Sequence, residues 1–205
     1  MLKAAPVRKA ARAPRGFTLI ELAVTLAVMA VLMALAMPSV FAWIANTRVR
    51  TVSDALQNGL RQAQAEAVRR SRTAVFSLTN DSAPKTSLTA AANGGNWSIN
   101  FVASSTLDTA GVATFVEAGV LTNAGSGVRI GGPAAICFNP LGRLVANSAT
   151  GVTGATCSLS AAPTYDVSMT SADRPLRVVV SLGGQVHLCD PAKAQSSSTP
   201  DGCPS

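Results

Sequence analysis

Catalytic and metal-binding residues are scarce in this sequence. His187 is the only histidine, and the ten acidic residues occur singly along the chain. A Ser-His-Asp arrangement would depend entirely on His187, which we instead expect to face solvent from a strand. A calcium loop groups its carboxylates, so this scatter disfavours one. We therefore expect no enzymatic activity, no cofactor and no metal site.

Two glycine-rich pieces also lack the signature of a phosphate-binding loop. Residues 125–127 and 131–133 are not followed by Lys-Ser/Thr or by a helical pattern. They indicate turns. Aromatic residues make up only 4% of the chain and charged residues 13%, while Ala, Ser, Thr and Gly are abundant. This composition suits a β-rich domain outside the cytoplasm, with long loops, better than a cytosolic enzyme.

What the sequence does contain is a basic N-terminus followed by a long apolar run. Residues 1–16 hold five cations and no acid, and from Phe17 to Ala45 the only ionisable residue is Glu21. The cations are Lys3, Arg8, Lys9, Arg12 and Arg15. The run is long enough to cross a bilayer and too long for a secretory signal peptide, with a kink expected at Pro38. The pattern predicts an inner-membrane span with its basic end in the cytoplasm.

After Ala45 the apolar residues recur at helical spacing. Their spacings of three, four and one indicate an amphipathic helix that lays one stripe on a sheet, with Gly59 as a weak point. The stripe consists of Val49, Val52, Leu56, Leu60, Ala63, Ala67 and Val68. We expect one helix of about 55 residues, from Phe17 to near Ser71 and Arg72, apolar all round in its first half and two-faced in its second.

Beyond residue 73 the period shortens towards two, which predicts strands. We expect them at 74–78, 97–102, 113–117, 127–130, 134–138, 142–145, 165–169, 176–182 and 185–188, with the last two paired as a hairpin. Residues 82–96, 147–163 and 192–205 indicate loops or tail. The fold class is therefore α+β, a long N-terminal helix packed on an antiparallel β-rich head of one or two sheets.

Motifs in the N-terminal segment and in the later helix and strands resemble a known family. The order of a basic leader, Gly16, Phe17-Thr18-Leu19-Ile20-Glu21 and an apolar helix resembles the class III signal of type IV pilins and type II secretion pseudopilins. Residues 60–70, 75–78, 97–101 and 136–143 further resemble the GspH/FimT-type minor pilins and pseudopilins. The resemblance implies a pilin-like fold, cleavage between Gly16 and Phe17 by a prepilin peptidase, and N-methylation of Phe17.

The position of Glu21 in a membrane-spanning helix predicts a role in assembly. A carboxylate at bilayer depth costs about 2.5–3.5 kcal/mol on insertion scales, so it needs a cation or a proton. In a helical filament the free amine at Phe17 of a neighbouring subunit is a suitable cation, and the pairing would set the register between subunits. The alternative is an interfacial Glu21 that reaches the lipid headgroups.

The four cysteines all lie in the C-terminal third. No pair shows C-x-x-C spacing, and an even count in a periplasmic domain favours disulfides over zinc. Three connectivities are possible for Cys137, Cys157, Cys189 and Cys203. We favour Cys137–Cys157 and Cys189–Cys203, because each closes a loop rich in Gly, Ser, Thr and Pro, and the second would hold the tail.

The net charge of +7 suggests nucleic acid, but its distribution weakens that interpretation. Without the five leader cations, 12 basic and 10 acidic residues remain, a formal +2. The remaining excess is local, at Arg48, Arg50, Arg61, Arg69, Arg70 and Arg72. We interpret these arginines as a solvated helix face near anionic lipid headgroups.

One turn in the head contains an arginine that could contact a partner. Asn139-Pro140-Leu141-Gly142-Arg143 resembles the family's Phe-x-Pro-x-Gly-Arg turn, in which Pro140 presets the turn and Gly142 supplies a positive φ. Arg143 either caps local carbonyls or contacts a neighbouring subunit or an anion.

DNA remains an alternative partner. Some FimT-type pilins bind DNA through a Gly-Arg-x-Arg motif, but residues 184–187 read Gly-Gln-Val-His here and lack both arginines. Phosphate binding needs cations. Arg174 and Arg177 on the neighbouring strand keep DNA binding as an alternative.

Four segments follow. We expect a cleaved leader at 1–16, a membrane and filament-core helix at 17–45, its amphipathic half at 46–72, and a periplasmic head at 73–205. The expected function is a structural minor pilin or pseudopilin in the inner membrane and then in a filament, assembled with other pilins. The alternatives are a DNA-binding pilin for natural transformation and a plain signal-anchored periplasmic protein. Type IV pilus and type II secretion membership share these features.

Overall fold

The computed structural model describes residues 16–85, 88–104, 112–121 and 125–204. The five leader cations and Ser205 lie outside the described residues. The chain divides into two compact units, Met1–Val40 and Phe41–Ser205. The described residues form one helix, α1 (Leu19–Arg69), and ten strands. The strands are β1 (Ala74–Thr79), β2 (Asn96–Phe101), β3 (Thr114–Val120), β4 (Arg129–Gly131), β5 (Ala135–Phe138), β6 (Leu144–Val145), β7 (Thr164–Ser168), β8 (Leu176–Val180), β9 (Val186–Ala194) and β10 (Gly202–Cys203).

Helix α1 begins and ends at defined caps. It starts two residues after the expected Phe17, because the Thr18 side chain caps the first turn and leaves Phe17 outside. At the other end Ser71 adopts a left-handed φ of 51°. Arg72 N donates to Ala67 O at 3.1 Å and Ser71 N donates to Val68 O at 3.2 Å. This pair of bonds is a Schellman motif, and it ends the helix two to three residues before the expected point.

The strands form two five-stranded sheets. One has the order β3-β2-β1-β5-β6 and the other β10-β9-β8-β7-β4. Within both sheets the neighbours are antiparallel except for β9 and β10, which are parallel. The α+β class, the antiparallel sheets and the hairpin between β8 and β9 are confirmed.

Both sheets contribute to one core with the second half of α1. The buried helix stripe contains six of the seven predicted positions and adds Ala45, Ser53 and Gly59. Val68 is 49% exposed, because it lies about 100° round the helix from the buried Ala67. Every residue of β1 and β2 is buried. A second, smaller cluster covers another part of β1 and β5; its fully buried members include Val75, Cys137 and Cys157. The central strands are therefore enclosed on both faces.

The C-terminal tail differs from the sequence expectation. Residues 192–194 belong to β9, and Gly202 and Cys203 form β10, so the interpretation of 192–205 as loop or tail was wrong at these positions. The backbone holds the tail in place: Asp190 N donates to Asp201 O at 2.8 Å and Gln195 N donates to Cys203 O at 3.0 Å. A strand of two residues carries no periodicity, so pattern reasoning could not find it.

Both disulfides join the cysteines that the sequence analysis favoured. They are Cys137–Cys157 and Cys189–Cys203, and the structure has no free cysteine. Their loops span 20 and 14 residues. The first is buried in the smaller cluster and holds the long loop after β6, and the second ties β10 to β9.

Candidate assembly and anchoring site

The first turn of α1 places Phe17 and Glu21 on either side of a cap. Thr18 Oγ1 accepts a hydrogen bond from Glu21 N at 3.2 Å, and Leu22 N donates to Thr18 O at 3.1 Å. Thr18 and Glu21 therefore have the Ser/Thr-x-x-Glu spacing of a capping box. Phe17 precedes the cap and is 84% exposed. The turn thus holds the carboxylate at a fixed position just inside the helix, where the helix dipole favours a negative charge.

The carboxylate of Glu21 makes no hydrogen bond or ion pair among the residues that the structure describes. It remains available for a cation from outside the described chain. The Thr18 cap was missed in the sequence analysis, although the Thr-x-x-Glu spacing before an apolar run is the signal that predicts it.

The apolar half of α1 is exposed over its whole length. Residues 16–41 are all exposed in the isolated chain. The only polar side chain of residues 22–37 is satisfied within the helix, because Thr25 Oγ1 donates to Leu22 O at 2.9 Å. This is the one helix among the described residues that is long and apolar enough to cross a membrane. An apolar surface of this size requires lipid or protein to cover it.

Asn46 makes two hydrogen bonds that hold a head loop against the helix just beyond the apolar run. Asn46 Nδ2 donates to Asp173 Oδ1 at 2.5 Å, and Arg174 N donates to Asn46 Oδ1 at 3.2 Å. The loop before β8 is therefore bound to α1 at Asn46. Arg174 is exposed, and its guanidinium has no partner among the described residues. No sequence signal joins positions 46 and 174, so this neighbourhood could not be predicted.

The turn before β6 is organised by Asn139. Its Oδ1 accepts hydrogen bonds from Leu141 N at 2.9 Å and Arg143 N at 3.0 Å, and Gly142 has a φ of 75° as expected. In the described part of the chain the Arg143 guanidinium makes no hydrogen bond to a carbonyl. Both alternatives for Arg143, a carbonyl cap and a contact with a neighbouring subunit or an anion, stay predictions. Gln64 Nε2 donates to Gly142 O at 2.8 Å and docks the turn on α1.

The other candidate anion contacts differ from Arg174. Arg177 Nε pairs with Asp166 Oδ1 at 2.6 Å across β7 and β8. His187 faces solvent from β9, as predicted, with its Nε2 3.4 Å from Gln185 Oε1. Arg177 is therefore neutralised locally, and residues 184–187 carry no strong cation. In the described residues no group of three or more His, Cys, Asp or Glu side chains is placed to hold a metal ion.

Two family models match the chain. The prokaryotic N-terminal methylation motif matches residues 11–37, which include Gly16, Phe17 and Glu21. The model of type II transport protein GspH matches residues 52–184, nearly two thirds of the chain. The chain belongs to the GspH family.

Solved structures similar to the chain include a type IV minor pilin and a minor pseudopilin. The type IV minor pilin FimU of Pseudomonas aeruginosa is 17% identical, with a TM-score of 0.47, over 75% of this chain and 98% of that chain. The minor pseudopilin EpsH from the type 2 secretion system of Vibrio cholerae is 9% identical, with a TM-score of 0.46, over 71% of this chain and 99% of that one. Comparison with curated proteins gives no match. Membership of the GspH family rests on the match to residues 52–184.

Proposed function

We propose that this chain is a structural filament subunit, a minor pilin or pseudopilin that acts in the assembly of a type IV pilus or a type II secretion pseudopilus. Members of this family are structural subunits. The observation that carries the proposal is the N-terminal arrangement, in which Gly16, Phe17 and Glu21 precede and open an exposed apolar helix.

Processing would occur at the junction of Gly16 and Phe17. Gly16 to Thr18 lie outside helix α1, and both residues of the junction are exposed. A prepilin peptidase would remove residues 1–16 and leave Phe17 with a free amine. N-methylation of an amine leaves it basic, so Phe17 remains a cation after modification.

The mature chain would then have two uses for one helix. Residues 17–45 hold the subunit in the inner membrane, with residues 46–72 and the head 73–205 in the periplasm. In the filament the same residues pack against neighbouring helices, where apolar burial contributes about 25 cal/mol per Å². The two disulfides suit an oxidising compartment such as the periplasm.

Glu21 would select the register of assembly. An unpaired carboxylate inside the packed apolar helices is costly, and the Phe17 amine of a neighbouring subunit removes that cost only when the two helices are correctly staggered. The Thr18 cap holds the backbone of Glu21 in the first turn of α1, and its carboxylate has no partner among the described residues, so a cation from another chain can pair with it.

The test is incorporation of Glu21→Gln into filaments. Gln has nearly the same size, caps similarly and lowers the cost of membrane insertion, so this variant should reach the membrane in normal amounts. We expect its share in the purified filament fraction to fall at least about tenfold, the effect of about 1.4 kcal/mol of lost pairing. Asp54→Asn is the matched control, because Asp54 is an exposed carboxylate on the same helix. Wild-type incorporation of Glu21→Gln would contradict the proposed pairing.

A further inference from the structure

Exposed aromatic residues mark the point where the apolar half of α1 ends. Phe41 is 60% exposed and Trp43 is 69% exposed. Trp43 and Arg50 are seven residues apart, close to two helical turns, and so lie on one face of α1. Arg50 pairs with Asp54 at 3.1 Å, but both side chains are solvated, so this pair is weak and leaves Arg50 available. Trp43 and Arg50 thus form an amphipathic end to the apolar run.

The head adds a second cation at the same level. The two hydrogen bonds of Asn46 hold Asp173 and Arg174 against α1, three residues from Trp43 along the helix. Asp173 is engaged by Asn46, whereas the Arg174 guanidinium has no partner among the described side chains. Asn46, Arg50 and Arg174 line one groove of the head, which Lys193, Asp190 and Asp201 also line. Lys193 is paired with both of these carboxylates, so Arg50 and Arg174 are the cations of the groove available to an anion, one to two helical turns past the exposed indole of Trp43.

We propose that Trp43, Arg50 and Arg174, which we call the collar, rest on the phospholipid headgroups of the periplasmic leaflet. Tryptophan favours the boundary between hydrocarbon and headgroups, and guanidinium binds phosphate oxygens through paired N–H donors. This inference rests on the proposed membrane anchoring and adds the surface by which the head meets the lipid. DNA phosphates are a weaker match, because the collar adjoins an exposed apolar segment.

The first experiment measures the depth of Trp43. The full chain is reconstituted in vesicles of phosphatidylethanolamine and phosphatidylglycerol that contain lipids brominated at different acyl positions. Trp97 is the only other tryptophan and is 6% exposed in the core, so Trp43→Phe isolates its contribution. We expect the shallowest bromines to quench Trp43 fluorescence most. The inference would be overturned if deep bromines quenched Trp43 most strongly. It would also be overturned if no bromine quenched Trp43 while the chain remained in the vesicle fraction. Failure of the chain to enter the vesicles would instead contradict the proposed anchoring.

The second experiment tests the arginines by hydrogen exchange of the loop at 170–175. We expect slower exchange in the anionic vesicles than in maltoside micelles, and a loss of about five-fold in this protection for Arg50→Gln or Arg174→Gln. Arg143→Gln is the matched control, since its turn docks on α1 at Gln64, eighteen residues beyond Asn46. Equal protection in all three variants would overturn the collar. Protection by a DNA duplex but not by vesicles would assign these arginines to nucleic acid instead.

Discussion

Gly59 on helix α1 lies so close to Trp97 on β2 that a Cβ at position 59 would be 2.9 Å from Cε2 and Cζ2 of the indole. Gly119 on β3 adjoins the same part of the ring, where a Cβ would be 2.4 Å from Nε1. Phe76 stacks on Trp97 with ring centroids 5.6 Å apart. The indole therefore fills the space between helix and sheet, and the two glycines make room for it.

Gly59→Ala should destabilise the protein, against the usual preference of helices for alanine. Alanine gains about 0.5–1 kcal/mol in a helix interior, but overpacking a core costs about 1–3 kcal/mol. The indole has little space to move, because Gly119 and Phe76 enclose it. We expect a net loss of about 1–2 kcal/mol in the free energy of unfolding, measured by urea denaturation in detergent.

Gly183→Ala is the control for Gly59→Ala. A Cβ at position 183 would have Ser181 Oγ at 3.7 Å as its nearest neighbour, an ordinary contact. This variant should keep wild-type stability. Gly59→Ala combined with Trp97→Phe should show favourable coupling, since the smaller ring leaves space for the methyl group. A Gly59→Ala protein as stable as wild type would contradict the close contact.

The two disulfides should make different kinds of contribution. Each closes a loop whose cross-link is worth about 3 kcal/mol in the chain-entropy account. Cys137 and Cys157 are almost fully buried, so replacing both with Ala should lower the global free energy of unfolding by at least that amount. Replacing Cys189 and Cys203 with Ala should mainly release the tail, seen as faster hydrogen exchange at 195–204 with a smaller global loss. The reverse ranking would contradict this assignment.

The tail should loosen at both extremes of pH. Lys193 Nζ lies 2.6 Å from Asp201 Oδ2, which raises the pKa of Lys193 and lowers the pKa of Asp201. A lowered carboxyl pKa stabilises the folded tail above the ordinary carboxyl value of about 3.9, and this contribution is lost as pH falls below it. A raised amine pKa stabilises the tail below its ordinary value of about 10.4, and this contribution is lost as pH rises through the folded value.

Local exchange rates at 195–204 report this dependence. Divided into the intrinsic rate of a free amide at each pH, they give protection factors, which we expect to be highest between the two limits. Asp201→Asn should flatten the acid end of this profile and weaken the basic end, where Asp190 still lies 3.4 Å from Lys193. Lys193→Met should flatten both ends, whereas Glu66→Gln, which alters a carboxylate paired with Arg69 and Arg70 at the end of α1, should leave the tail profile unchanged. An identical profile in Asp201→Asn would show that the ion pair does not hold the tail.

Local patterns were sufficient to predict much of this fold. Helix α1, nine of the ten strands and both disulfides follow from periodicity, turn residues and loop composition. The misses have physical causes. Two-residue β10 is held by β9 and a disulfide rather than by its own pattern. Val68 lies about 100° round α1 from the buried Ala67 and therefore faces out of the stripe.

The candidate site likewise contains residues whose arrangement the sequence predicts and others whose arrangement it does not. Gly16, Phe17 and Glu21 are neighbours in sequence, so their arrangement could be predicted from the motif. Arg174 is positioned by its contact with Asn46, which is 128 residues away in the chain. The sequence analysis placed Arg174 on the strand beside the position of the DNA-binding motif. Contacts of that range depend on the whole fold, so only the structure brings the collar together.

The central claim is that this chain is a processed filament subunit, and the intact mass of the protein from its native host tests it most directly. The account predicts a chain that begins at Phe17, carries one methyl group on its N-terminal amine and contains two disulfides. The same measurement on a strain that lacks the prepilin peptidase should show the full leader. A native-host protein that keeps residues 1–16, or that begins anywhere other than Phe17, would contradict the account.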